Sequence, residues 1–88
     1  MIARVFISGF VQGVGFRQFV LRQAQHLRLT GWVKNVSDGR VEVLFQGPED
    51  KIKKAVEECN KGPFLSEVKD VVVEWENASE IYKAFKIV

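Results

Sequence analysis

Period-two alternation and helical spacing take turns along this chain. Residues Ala3 to Ser8 alternate and are rich in β-formers (Val5, Phe6, Ile7), which predicts a strand. Gly9 to Gly13 reads as a loop. From Val14 to Leu27 the apolar residues Phe16, Phe19, Val20, Ala24 and Leu27 recur at helical spacing. Gln18, Arg22 and Gln25 fill the other face, so an amphipathic helix is predicted. Two strands are predicted next, Thr30 to Val36 and Val41 to Gln46, joined through the turn signal Ser37-Asp38-Gly39. Gly47-Pro48-Glu49-Asp50 marks a helix start. Proline suits the first helical position, and the two carboxylates suit the positive end of the helix dipole. Ile52, Ala55, Val56 and Cys59 then share one helical face, and Gly62-Pro63 ends that helix. Val68 to Trp75 alternates around Val71, Val73 and Trp75, predicting a long strand. Glu76 to Glu80 is a polar connector, and Ala84 to Val88 predicts a short closing strand.

This order is the split βαβ, ferredoxin-like pattern (βαββαβ) of the α+β class: an antiparallel sheet with two helices on one face. Length agrees with it. The chain has 88 residues, which suits a single domain spanning 1–88, and no repeat, low-complexity tract or linker divides it. A composition of 47% hydrophobic and 27% charged residues is that of an ordinary globular protein. No apolar run approaches a membrane span, and the N-terminal MIARVFISGF lacks the order of a signal peptide. The expected location is therefore the cytoplasm, with no membrane partner. The net charge of +2 demands no nucleic-acid partner, and nothing in the chain forces association, so a monomer is expected. Many functions use this fold, so function has to come from a site.

The segment Gly9-Phe10-Val11-Gln12-Gly13-Val14-Gly15-Phe16-Arg17 leaves a strand and enters a helix. Its glycines permit backbone conformations closed to other residues and let a ligand approach closely. Successive N–H groups can then point into one concavity, joined by the free N–H groups of the helix start. Arg17 adds a permanent charge and a planar fork matched to phosphate oxygens. Gly9 to Arg17 is thus a candidate stretch for holding a phosphate-like anion. No Gly-Lys-Ser/Thr follows, so this is not a Walker loop, and the glycine spacing also fails the dinucleotide pattern. Asn35, near the end of a predicted strand, reads by composition alone as a turn-forming residue.

Two long motifs resemble those of the acylphosphatase family, small enzymes that hydrolyse carboxyl-phosphate anhydrides. The first, Gly-x-Val-Gln-Gly-Val-x-Phe-Arg, stands here as Gly9 to Arg17. The second, Gly-Trp-Val-Lys-Asn-x-x-x-Gly-x-Val followed by five residues and Gly, stands as Gly31 to Gly47. The matching element order extends the resemblance over essentially the whole chain, through Phe85-x-Ile87. The resemblance implies that Arg17 binds the phosphate, that Asn35 orients the attacking water, and that Val11, Gln12, Gly13, Val14, Gly15 and Phe16, running into Arg17, form the phosphate-binding loop that supplies a backbone cradle. It implies an acyl phosphate substrate, inorganic phosphate as product, and neither metal nor cofactor. Two positions depart from the pattern. Phe10 stands where many relatives carry a basic residue, which would weaken phosphate steering. Val36 follows Asn35 where some relatives carry threonine, so a hydroxyl that could hold Asn35 is missing.

Such sparse chemistry is physically sufficient. The leaving carboxylate has a conjugate acid of pKa about 4, so it departs without a proton donor. A loose phosphoryl-transfer transition state gains little from a strong base, which leaves positioning and charge stabilisation. A further expectation is that the Val88 carboxylate reaches Arg17 and presets its rotamer. The competing class is a non-catalytic module binding an anion or nucleotide. An RNA-binding sheet is disfavoured, because the predicted third strand offers only Phe45 as an aromatic.

Other reactive residues read as structural. A lone Cys59 forms no internal disulfide, and one Cys with one His cannot close a zinc site. A cysteine phosphatase needs an arginine six residues on, and position 65 is Leu65. His26 suits a helix C-terminus. Lys51, Lys53, Lys54 and Lys61 read as a solvated face, Asp38, Glu49 and Asp50 as turn and helix-start residues, and Trp32 and Trp75 as core or sheet-face packing.

Overall fold

The computed structural model describes residues 1–88. The elements run β1 (Ile2–Phe10), α1 (Phe16–His26), β2 (Thr30–Asn35), β3 (Val41–Gln46), α2 (Glu49–Lys61), β4 (Glu67–Glu76) and β5 (Phe85–Ile87). They form one sheet in the order β4-β1-β3-β2-β5. The first four strands pair antiparallel, as the ferredoxin-like pattern requires. The closing strand adds to the outside of β2 in parallel, with Gly31 opposite Phe85 and Val33 opposite Ile87. The sheet is therefore mixed at that edge.

Side chains alternate across the sheet, so every second residue turns to the helices. On β1 these are Ala3, Val5 and Ile7; on β3 they are Val41, Val43 and Phe45, all fully buried. Helix α1 covers this layer with Phe16, Val20 and Ala24, and α2 covers it with Ile52, Ala55 and Cys59. Phe45 stacks on Phe85 at 5.7 Å, which ties the short β5 to the core. Burial pushes the Cys59 thiol up to about 12, as expected for a small apolar core residue.

The open face of the sheet mixes charged residues with apolar ones such as Phe6, Trp32 and Leu44. Trp32 lies there between Arg4 and Lys34, at 5.8 and 5.2 Å from the ring centre, and Glu42 pairs with both cations. Trp75 is 40% exposed at the β4 edge, less buried than core packing implies. No helix is long and apolar enough to cross a membrane.

The helices start later than the periodicity suggests. Val14 belongs to the loop, and α1 begins at Phe16 because Gly13 and Gly15 both take positive φ (75° and 78°) and break the helical run. Pro48 is the cap of α2 and not its first residue, with φ −62° and ψ 141°.

Candidate active site at the start of α1

The two helix starts are built oppositely. Helix α2 carries Glu49 and Asp50 in its first turn, which neutralise the positive end of its dipole. Helix α1 has no acid in its first turn and no side-chain cap, and Gly15 at its cap position is left-handed. Its first turn instead adds the cation of Arg17. A positive end without a negative partner is stabilised by an anion from outside.

The backbone agrees. No N–H group of residues 12–18 donates to a backbone acceptor, while Phe19 N–H returns to Gly15 O at 3.0 Å. A Cβ added at Gly13 or Gly15 would meet nothing within 4 Å, so positive φ, not crowding, demands glycine there. The loop is held by side chains: Val11 and Phe16 are each 1% exposed at its two ends.

These groups open on a cleft of about 290 Å³ lined by Val11, Gly13, Gly15, Phe16, Arg17, Gln18, Asn35 and Ile87. Arg17 and Asn35, far apart in sequence, thus share one cavity. The cleft is lined by no carboxylate, imidazole, thiol or hydroxyl side chain. Arg17 is exposed and forms no ion pair with any acid. Asn35 ends β2 on the same face as Val33. Its Oδ1 is buried with no hydrogen-bond partner. Such an atom is rare, because an unpaired buried acceptor is costly.

Of the loop residues, Gln12 and Val14 do not line the cleft. The Gln12 amide turns away and donates to the carbonyls of Val36 and Arg40. Phe10 is 61% exposed and also lies outside the lining. No side chain holds Asn35, in keeping with valine at position 36. Val88 lines a different groove, with Trp32 and Tyr82, and no ion pair joins a terminal carboxylate to Arg17. Gln18 and Ile87 are the lining residues that sequence reading missed. Only the parallel docking of β5, which sets Ile87 beside Val33, reveals the second of them.

The chain matches the Acylphosphatase family model over residues 3–87. It is 51% identical to an acylphosphatase of Moorella thermoacetica, over 84% of this chain and 80% of that one. The crystal structure of acylphosphatase from Bacillus subtilis superposes with a TM-score of 0.96 at 44% identity, covering 100% of this chain and 99% of that one. Full-length HypF, solved in a phosphate- and nucleotide-bound form, contains a similar unit. There the TM-score is 0.88 at 41% identity, and the match covers 100% of this chain but 12% of HypF.

Proposed function

The chain belongs to the acylphosphatase family, and we propose that the cleft at the start of α1 performs its reaction with Arg17 and Asn35 as the acting side chains. The activity is hydrolysis of the carboxyl-phosphate bond of a small acyl phosphate, giving a carboxylate and inorganic phosphate. The observation that carries the site assignment is the meeting of Arg17, a run of unspent N–H groups and an unpartnered Asn35 in one cavity.

In this reading the phosphoryl oxygens lie against the N–H groups of the loop and the first turn of α1. Arg17 grips them with two parallel N–H donors. Water attacks phosphorus in line; the phosphorus–oxygen bond to the acyl group breaks, and the bonding pair leaves with the carboxylate. The water's protons pass to the phosphate product and to solvent. The Asn35 carboxamide has no protein hydrogen bond to break when it engages the water. Its oxygen accepts a hydrogen bond from the water, and its nitrogen donates to the water or to a phosphate oxygen. No protein group becomes covalently attached, and no lining side chain serves as a base, consistent with so good a leaving group.

Residues 1–88 act as a single domain in this proposal, in the cytoplasm and as a monomer. The free edge strand β4 supports the monomer. It carries Glu67, Lys69, Asp70, Glu74 and Glu76, a density of charge that discourages edge-to-edge pairing. The test is phosphate release from benzoyl phosphate in the presence of a chelator. Steady turnover is expected. Absence of turnover, or its abolition by the chelator, would refute the mechanism.

A further inference from the structure

The Gln12 side chain faces away from the cleft, and its contacts give it a separate task. Its Nε2 donates to the Val36 carbonyl at 2.7 Å and to the Arg40 carbonyl at 2.9 Å, using both hydrogens of the amide nitrogen. The same carbonyls close the turn between β2 and β3. Val36 N–H donates to Arg40 O at 2.8 Å, and Gly39 N–H to Val36 O at 3.0 Å. Each carbonyl therefore accepts two bonds, the full capacity of its lone pairs. Val36 directly follows Asn35. Gln12 thus joins the anion-binding loop to the peptide unit beside the water-orienting residue.

Both partners need such a link. Residues 12–18 spend no backbone N–H on the protein, so no amide of the loop ties it to the rest of the fold. The Asn35 carboxamide has no protein hydrogen bond, so no polar contact fixes it and its place follows that of its backbone. We propose that Gln12 is a positioning residue: its paired hydrogen bonds set the separation between the phosphate cradle and Asn35. The Gln12 side chain does so without touching substrate. The inference rests on the assignment of Asn35 to the attacking water.

Gln12→Met removes both donors at nearly constant volume. Misplacement of reacting groups by about 1 Å costs on the order of 10²-fold, so kcat should fall by roughly ten- to a hundredfold, with inhibition by inorganic phosphate changed less than about threefold. Residues acting as one unit give non-additive losses. In an Asn35→Ala background, Gln12→Met should therefore cost nothing further. An equal multiplicative loss in that background, or a loss confined to phosphate affinity, would overturn the proposal. Full activity of Asn35→Ala alone would overturn the assignment beneath it, a distinguishable outcome. If Gln12→Met does not fold by circular dichroism, the same cycle is run with Gln12→Asn. That variant keeps the amide but shortens its reach by one methylene, and the same outcomes apply.

Discussion

Replacing Asn35 by alanine should yield a protein that is more stable and nearly inactive. Asn35 Oδ1 is buried without a donor, and an unpaired buried acceptor costs about 1–3 kcal/mol. The substitution removes that cost. It forfeits little packing, because Asn35 is only partly buried and makes no side-chain hydrogen bond. A net gain of about 1 kcal/mol is expected. For a domain of this size, about 1 kcal/mol raises the melting midpoint by about 4–8 °C. Turnover should fall on the order of 10²-fold or more as the water loses its orientation, while inorganic phosphate still binds. Thermal melting of the two proteins is measured beside steady-state phosphate release. A midpoint lowered by several degrees would refute the reasoning, since the carboxamide would then be stabilising the fold. A stable variant with near-normal turnover would remove Asn35 from the mechanism.

Three other outcomes are expected. Arg17→Lys exchanges a planar fork for a point charge and should weaken substrate binding about ten- to a hundredfold, the worth of one charged hydrogen bond; an unchanged KM would contradict the anchoring role. Gly31→Ala drives a Cβ into the Leu44 carbonyl oxygen, at a φ of 130°. Backbone strain and lost pairing between β2 and β3 should together cost on the order of 3 kcal/mol, read as a lower urea midpoint, and an unshifted midpoint would show the strand is not so constrained. Cys59, its thiol pushed up to about 12 by burial, should resist a disulfide reagent at pH 8 until the protein is unfolded. Rapid labelling of the native protein would show that the α2 core face opens readily.

The element order was legible because alternation and helical spacing report burial directly. Val5, Ile7, Val43 and Phe45 betray strands, and Phe16, Val20 and Ala24 betray a helix, through the same pressure to turn inward. Features that depend on distant residues were not legible. A chain read locally shows that residues 84–88 suit a strand, not that β5 pairs parallel to β2 and brings Ile87 to the cleft. Gly13 and Gly15 signalled a special loop, but α1 starts after them because their φ values exclude helix. Arg17 was visible from its place after that loop. Asn35 was visible only through the family motif, because by itself it resembles any asparagine before a turn. Gln12 groups with the cradle by its place in the sequence, and its partners at Val36 and Arg40 appear only once the loop lies against the hairpin.

The strand order also governs how fast this protein can be made ready for work. Only β2 and β3 are paired through a short turn; β1 pairs with β4, where Ile2 lies opposite Glu76. Long-range pairings of this kind spend chain entropy before any contact rewards it, which places folding in the millisecond-to-second range and not the microsecond range of local folds. The cleft draws its walls from the loop after β1, the start of α1, the end of β2 and the strand β5. No early, locally folded fragment contains all of them. Catalysis is therefore a report on completed folding. On dilution from denaturant, regained phosphate release should follow the slowest phase of tryptophan fluorescence, and activity recovered ahead of that phase would show the site assembling without its sheet.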